Sequence, residues 1–292
     1  LPPSALPSSG LPPSGLPIDP VLPALVAALA RHGRAVLQAP PGAGKTTRVP
    51  LALLAAGARG RILMLEPRRL AARAAAERMA ETLGEPVGKT VGFRIRGAAQ
   101  VSPDTRIEVV TEGILTRMIQ ADPELTGIGT VIFDEFHERA LAADLGLALA
   151  WEARAALRPD LQLLVMSATL DAAPVAALLD DAPILTAEGR SFPVETRWLE
   201  RPARAGAPLA PAVAALVEQA LGETTGGVLV FLPGAREIGQ VARLIEARAR
   251  GLLVLPLHGR LPFSAQRTAL APPPAGLRKV VLATSIAETS LT

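Results

Sequence analysis

Ala39-Pro40-Pro41-Gly42-Ala43-Gly44-Lys45-Thr46-Thr47 is the stretch that decides the fold. It follows an apolar run at residues 35–38 and precedes a segment at 49–56 that can form a helix. A strand, a glycine-rich turn and a helix start direct several backbone N–H groups at one point, which also carries the positive end of the helix dipole. Such a point suits a chain of phosphates, so the stretch predicts a nucleotide-binding loop.

Two side chains of this loop carry the chemistry of a phosphate site. Lys45 would reach the β- and γ-phosphates, and the Thr46 hydroxyl would hold Mg²⁺. The usual pattern has glycine where this chain has Ala39, so the loop must make its first turn with a Cβ present. The alternative is a simple turn with Lys45 on the surface. Composition argues against it, because only three of the thirty basic residues are lysines and a compact ammonium fits between phosphates better than a guanidinium.

A second stretch, Asp134-Glu135-Phe136-His137, ends another apolar run at residues 131–133. Its acidic pair can face the same metal ion and a water molecule. The two stretches together predict hydrolysis of a nucleoside triphosphate. A zinc protease is the alternative for His137-Glu138, but that pattern needs a second histidine at position 141, where this chain has leucine.

Composition sets the broad class. A chain of 292 residues with 49% apolar residues suits two domains with sizeable cores. The net charge of +3 is too small to predict nucleic-acid binding, so any such surface must be local. The absence of cysteine excludes disulfides and thiolate metal sites. No segment resembles a membrane span or a secretory signal, so we expect no membrane partner and a cytoplasmic location.

The order of patterns along the chain predicts an α/β fold. Residues 1–17 form a Pro-rich tail, expected to be disordered or extended. Apolar strands then alternate with helical patterns, which is typical of a mainly parallel sheet covered by helices on both faces. A Pro-, Ala- and Gly-rich boundary predicts one domain at 18–193 and a second at 194–292. The predicted strands are 35–38, 61–65, 106–110, 130–133, 161–166, 227–232, 252–255 and 279–283, and the predicted helices are 45–56, 69–83, 112–120, 140–157, 172–180, 235–249 and 264–270.

Further short motifs follow the predicted strands, where ligands of such sheets bind. In this order they resemble the motifs of superfamily-2 helicases, most closely the DEAH-box group and its bacterial HrpB type. The resemblance runs from about residue 35 to the end and implies two RecA-like P-loop NTPase domains, the second incomplete. Its motifs are 39–47 (I), 67–72 (Ia), 111–115 (Ib), 134–137 (II), 167–170 (III), 231–238 (IV) and 283–292 (V).

The resemblance implies ATP and Mg²⁺ as cofactors and assigns roles to individual residues. Glu135 would orient and activate the attacking water, and Asp134 and Thr46 would hold the metal. His137, Ser167 and Thr169 would couple the nucleotide to the bound strand. Arg78 would stack on the adenine. The nucleotide would lie against Gly42, Ala43, Gly44, Lys45, Thr46 and Thr47.

The implied partner is single-stranded nucleic acid, with RNA as the family-based expectation. Its sugar-phosphate backbone would be held by Arg68, Arg69, Thr111 and Thr284. Arg94 and Arg96 lie on one side of an extended segment and are further candidates. The sequence gives no oligomeric state.

Three functions stay open. The first is an ATP-dependent helicase core that couples hydrolysis to movement on, or unwinding of, a strand. The second is an ATP-gated module that binds or remodels a strand without unwinding it. The third, a P-loop kinase or transport ATPase, is disfavoured by the motifs at 111–115 and 167–170. The chain stops within motif V, before the arginines of motif VI, so we expect it to bind nucleotide but to hydrolyse it weakly.

Overall fold

The computed structural model describes residues 12–168, 172–189, 193–199, 208–248 and 251–288. The chain divides into two compact units, Leu1–Phe192 and Pro193–Thr292. The described elements of the first unit are α1 Leu22–His32, β1 Arg34–Gln38, α2 Lys45–Ala55, β2 Arg61–Glu66, α3 Arg69–Thr82, β3 Val91–Ile95, β4 Ala98–Gln100, β5 Ile107–Thr111, α4 Glu112–Ala121, β6 Ile128–Phe133, α5 Leu141–Ala156, β7 Gln162–Ser167, α6 Ala172–Leu178 and β8 Ile184–Thr186.

The first unit is built on one eight-stranded sheet in the order β4-β3-β5-β2-β6-β7-β1-β8. All neighbouring strands are parallel except β3 and β4, which form an antiparallel pair at one edge. The central strands are almost continuously apolar, as expected for strands that are buried on both faces.

Alternate side chains of the strands enter two different cores. On β2, Ile62 and Met64 pack with residues of α1, α2 and α3. Leu63 and Leu65 point the other way and pack with residues of α4, α5 and α6. This period of two follows from the pleat of a strand. The predicted α/β class, a mainly parallel sheet with helices on both faces, is therefore confirmed.

The described helices and strands of the second unit are α7 Leu209–Glu223, β9 Val228–Phe231, α8 Ala235–Arg248, β10 Leu252–Leu257, α9 Phe263–Leu270 and β11 Arg278–Ala283. The three strands form a parallel sheet in the order β10-β11-β9. Side chains of α7 and α8 form the core of this unit with alternate residues of β9 and β11, among them Val280 and Leu282.

Three strands and two helices lack a prediction from the sequence: β3, β4, β8, α1 and α7. β4 and β8 are three residues long, and β3 contains a glycine and an arginine, so none of the three has an apolar run of its own. Pairing with a neighbouring strand supplies what the local pattern lacks. Within the described part of the chain, no helix combines the length and apolarity that a bilayer crossing requires.

Candidate active site

The two decisive stretches meet because their strands are close neighbours in the sheet. β7 pairs with β1 on one side and with β6 on the other. In parallel strands the carboxyl ends lie at the same edge, so the loop after β1 and the residues after β6 emerge side by side. β2 and β5 end at this edge as well, because both belong to the same parallel set.

The predicted nucleotide-binding loop at residues 39–47, called the phosphate loop from here on, turns at its two glycines. Gly42 has φ of 74° and Gly44 has φ of 92°, both in the left-handed region that side chains with a Cβ rarely adopt. α2 begins directly after Gly44, so the backbone N–H groups of its first turn, at Lys45, Thr46 and Thr47, have no partners within the helix. These orphan donors are what an anion at a helix start requires.

Ala39 is accommodated because the turn starts after it. Its backbone N–H donates to the Ser167 carbonyl at 2.9 Å, which continues the pairing of β1 with β7 by one residue. Ala39 is fully buried and does not belong to the described residues with positive φ. A Cβ is therefore compatible with this position, and the departure from the glycine pattern leaves the loop intact.

Lys45 and Glu135 form a buried ion pair. The Lys45 Nζ lies 2.8 Å from the Glu135 Oε1, and the two side chains are only 3% and 9% exposed. Glu135 itself is the first residue after Asp134 and has φ of 49°, a left-handed conformation that turns its side chain out of the strand direction. The amine at the helix start and the acid at the strand end thus share one enclosed space.

Thr46 and Asp134 form the other half of this site. The Thr46 Oγ1 donates to the Asp134 Oδ2 at 2.6 Å, and the Asp134 Oδ1 accepts the backbone N–H of Glu135 at 2.8 Å. A hydroxyl and a carboxylate are oxygen ligands of the kind that Mg²⁺ prefers. The donor set therefore fits a metal ion that also takes oxygens from phosphate and water.

His137 connects the acidic stretch to the end of β7. Its Nδ1 accepts the backbone N–H of Ala168 at 3.3 Å and lies 3.4 Å from the Glu135 Oε2. Ala168 follows Ser167, the last residue of β7, which is buried. A shift of the imidazole would therefore be felt at both the acid and the strand end. Thr169, the other predicted coupling residue, lies outside the described residues.

Glu66 belongs to this site although the sequence analysis assigns it no role. It is the last residue of β2 and is 2% exposed. Burial, followed by the neighbouring charges of Asp134 and Glu135, raises the pKa of Glu66 well above its usual range. An acid at the end of an apolar strand, in the same position relative to the sheet edge as Asp134, is the signal that could have found it.

Some of the predicted strand-binding residues lie at the same edge of the sheet. Arg68 directly precedes α3 and lies 3.7 Å from the Glu138 carboxylate, and Arg69 begins that helix with an exposed side chain. Thr111 ends β5 and directly precedes α4. The first unit therefore presents two arginines and a hydroxyl at the edge of the sheet where Lys45 and Glu135 meet.

Arg94 and Arg96 have different surroundings. Arg94 lies on β3, and its Nε is 2.8 Å from Oε1 of Glu108, a carboxylate with no exposed area that also pairs with Arg61 at 2.7 Å. Arg96 lies in the exposed turn between β3 and β4. Arg94 thus neutralises a buried acid inside the sheet, while Arg96 has an exposed side chain.

Two further predicted residues, Arg78 and Thr284, lie in different units of the chain. Arg78 is on α3, largely exposed, and pairs with Glu81 at 2.8 Å. Thr284 lies in the second unit directly after β11, and its backbone N–H donates to the Leu257 carbonyl at 3.1 Å.

Comparison with known proteins adds a family and two solved structures. The DEAD/DEAH box helicase family model matches residues 22–178. The chain is 53% identical over 274 residues to the ATP-dependent RNA helicase HrpB of Escherichia coli K12. The aligned residues cover 93% of this chain and 34% of that protein.

Two solved structures resemble the fold. The crystal structure of Escherichia coli DEAH/RHA helicase HrpB matches with a TM-score of 0.88 at 53% identity, over 95% of this chain and 35% of that one. The crystal structure of E. coli DExH-box NTPase HrpB matches with a TM-score of 0.79 at 52% identity, over 97% and 35%. The chain therefore spans about a third of the length of these relatives.

Proposed function

The chain belongs to the DEAD/DEAH box helicase family, as its motifs predict, and from this premise we propose that it is the ATP-dependent core of an RNA helicase. In this proposal the units correspond to two RecA-like domains, at residues 18–193 and 194–292. The choice of RNA follows the name of the relative that is 53% identical, an ATP-dependent RNA helicase.

The observation that carries the proposal is the convergence of four side chains at one sheet edge. Lys45 lies against Glu135, and Thr46 lies against Asp134. In the proposed reaction the Lys45 ammonium binds the β- and γ-phosphates and the Glu135 carboxylate orients the attacking water. Positioning of this kind supplies most of the catalysis in phosphoryl transfer. Orphan N–H groups at the start of α2 bind the remaining phosphate oxygens.

Thr46 and Asp134 are the residues that would hold Mg²⁺, directly or through its waters. When bound, this ion neutralises charge that develops on the phosphates. Two carboxylates of the site, those of Asp134 and Glu135, lie against the single ammonium of Lys45. The third carboxyl group, that of Glu66, has a raised pKa and does not add to this negative charge while it is protonated. That excess of acid supports the binding of a divalent cation together with the nucleotide.

Arg68, Arg69 and Thr111 would hold the strand at the same edge of the first unit, and Thr284 would contribute from the second. Guanidinium and hydroxyl groups suit the phosphates of a nucleic-acid backbone. Contacts of this type position a strand without reading its sequence. Arg94 and Arg96 remain further candidates of this surface, and Arg78 remains the proposed adenine contact.

We also propose that the 292-residue chain hydrolyses ATP slowly in isolation. A group from elsewhere that stabilises the developing charge, such as an arginine, can contribute about 10³–10⁵ in rate. ATP binding would then be measurable with the chain alone, while turnover would stay low.

The test is ATP hydrolysis with and without single-stranded RNA or DNA, for the wild type, Lys45→Ala and Glu135→Gln. We expect RNA to stimulate hydrolysis, Lys45→Ala to lose nucleotide binding, and Glu135→Gln to bind ATP with little turnover. Lys89→Ala is a matched control, because the half-exposed Lys89 pairs with Glu85 and belongs to neither motif. Hydrolysis that does not respond to nucleic acid would contradict the helicase proposal, whereas ATP-dependent strand binding without unwinding would favour the remodelling module.

A further inference from the structure

Residues 12–19, which precede α1, lie against the phosphate loop. The backbone N–H of Ile18 donates to the Ala43 carbonyl at 3.1 Å. The Leu16 side chain packs over Gly44, so closely that a Cβ added to Gly44 would lie 2.7 Å from the Leu16 Cδ1. Ala43 and Gly44 are the two residues directly before Lys45. The segment therefore contacts the loop directly before the residues whose N–H groups are orphan donors.

A buried ion pair fixes the same segment to α2. Arg48, in the first turn of α2, is 6% exposed. Its Nε donates to the Asp19 Oδ1 at 3.0 Å, and its Nη2 donates to the Pro12 carbonyl at 2.7 Å. Since Arg48 follows Lys45 by three residues, both side chains belong to one helical turn.

The second carboxylate oxygen of Asp19 accepts three further hydrogen bonds. The Asp19 Oδ2 accepts the backbone N–H of Ser14 at 2.6 Å, the Ser14 hydroxyl at 2.9 Å and the backbone N–H of Gly15 at 3.0 Å. Burial alone would raise the pKa of Asp19, but these hydrogen bonds and the Arg48 charge together lower it below its usual value. One carboxylate thus folds residues 14–19 into a turn and ties that turn to α2.

We propose that residues 12–19 are a positioning element for the phosphate loop, in which Asp19 acts through Arg48 and Leu16 acts through Gly44. The element keeps the loop and the first turn of α2 in the shape that receives phosphates. A loop of short residues with two left-handed glycines has little side-chain packing of its own, so its shape depends on what lies behind it. This inference rests on the proposed function, since it concerns nucleotide binding by the same loop.

The test measures the Kd of a fluorescent ATP analogue for the wild-type chain, Asp19→Asn and Leu16→Ala. Asp19→Asn keeps the size of the side chain and removes its charge, and Leu16→Ala uncovers Gly44. We expect each to raise the Kd about tenfold, since charge-assisted hydrogen bonds and close packing both restrict the loop. We expect Asp19→Glu and Leu16→Met, which retain the charge and most of the volume, to recover most of the affinity.

Asp160→Asn is the matched control. Asp160, like Asp19, pairs with an arginine, and its carboxylate lies 2.8 Å from Arg158. Asp160 lies just before the start of β7, so it is at the end of the parallel strands opposite to the phosphate loop. Hydrogen exchange of residues 42–47 gives a readout that needs no nucleotide. It should become faster in Asp19→Asn and Leu16→Ala than in Asp160→Asn.

Lys45→Ala separates the two proposals. If Lys45→Ala loses the analogue while Asp19→Asn and Leu16→Ala bind it like the wild type and exchange no faster, the positioning element is wrong and the proposed function stands. If Lys45→Ala binds the analogue like the wild type, the proposed function itself fails. A variant that unfolds is replaced by the other, because Asp19 and Leu16 act on the loop by separate contacts.

Discussion

The Lys45 ammonium and the Glu135 carboxylate lie 2.8 Å apart, each almost excluded from solvent. In the proposed reaction these groups have different targets, a phosphate and a water molecule. In the structure each is the other's partner, so neither is left as a buried and unpaired charge. Entry of a triphosphate would give Lys45 new oxygen partners and leave the Glu135 carboxylate able to accept a hydrogen bond from water. Binding and preparation for hydrolysis are thus linked through one ion pair.

The charge balance of the site predicts that removing Lys45 and removing Glu135 change the free energy of unfolding by different amounts. Lys45→Ala leaves the carboxyl groups of Glu66, Asp134 and Glu135 without their cation, so we expect it to lower the free energy of unfolding by about 3 kcal/mol. Glu135→Gln removes one of the negative charges and should lower the free energy of unfolding by much less. The double variant should recover part of the loss caused by Lys45→Ala.

Urea denaturation without nucleotide or Mg²⁺ measures this cycle. The control is the same cycle on Lys89 and Glu85, which lie four residues apart. The Lys89 side chain is half exposed, so we expect a smaller coupling of about 1 kcal/mol or less. Additive effects of Lys45→Ala and Glu135→Gln would mean that the two groups do not interact in solution.

The raised pKa of Glu66 predicts a dependence of stability on pH. Burial and the charges of Asp134 and Glu135 hold this carboxyl protonated above its usual pKa of 4.5. The folded state then binds one more proton than the unfolded state at pH values above 4.5, so stability falls as pH rises towards the folded-state pKa. Glutamine resembles the protonated acid and does not titrate. Glu66→Gln should therefore lose less stability than the wild type between about pH 5 and pH 8.

Thermal unfolding in EDTA at several pH values tests this effect. The quantity of interest is the difference in Tm between Glu66→Gln and the wild type, which should grow in favour of the variant as pH rises. Asp160→Asn serves as the control, because hydrogen bonds from Arg158 lower the pKa of Asp160 below its usual value of 3.8. Asp160 therefore stays ionised in both states above about pH 4.5, and the Tm difference between Asp160→Asn and the wild type should not change as pH rises. Parallel Tm curves for Glu66→Gln and the wild type would contradict the assignment.

Most of the sheet and the centre of the site could be predicted from the sequence because their signals are local. An apolar run followed by a glycine-rich turn specifies β1, the loop and α2 together. Asp134 and Glu135 follow a similar run, and the rule that ligands bind at strand ends places both stretches at one edge. Family resemblance then assigned roles that the residues alone left open.

What the sequence could not show are partners that are distant along the chain. Glu108 is an acid within a strand pattern, and only the fold reveals that it is buried between Arg61 and Arg94. Residues 12–17 have the composition of a passive tail, yet Leu16 packs on Gly44. Such contacts depend on the close approach of segments in space, for which composition and periodicity carry no signal.

The different surroundings of Arg94 and Arg96 predict different consequences for stability. Arg94→Ala leaves the fully buried Glu108 with one cation instead of two, so we expect a loss of about 2 kcal/mol in the free energy of unfolding. Arg96→Ala removes an exposed side chain from a turn and should leave stability unchanged within error. If Arg96 contacts the strand, its loss weakens RNA binding uniformly across sequences and reduces the salt dependence.

Urea denaturation and RNA titration of both variants at two salt concentrations separate these effects. The double variant Arg94→Ala with Glu108→Gln tests the cause, because it removes the buried charge as well and should regain stability. An Arg94→Ala variant as stable as Arg96→Ala would show that Glu108 does not need the second arginine.

The phosphate loop offers a comparison between two glycines that differ in their surroundings. Gly42 and Gly44 both have positive φ, so alanine at either position should cost about 1–2 kcal/mol in backbone strain. An alanine at position 42 would meet nothing within 4 Å, whereas one at position 44 would lie 2.7 Å from the Leu16 Cδ1. Gly44→Ala should therefore destabilise the chain more than Gly42→Ala, by about 1 kcal/mol or more.

Removal of the Leu16 side chain isolates that extra cost. In a Leu16→Ala background the methyl group at position 44 has room, so Gly44→Ala should then lower the free energy of unfolding only as much as Gly42→Ala does. The effect of Gly42→Ala should be the same with and without the Leu16 side chain. Urea denaturation of the three single and two double variants beside the wild type measures each step. Equal costs of Gly44→Ala with and without Leu16 would mean that this side chain does not lie on the loop in solution.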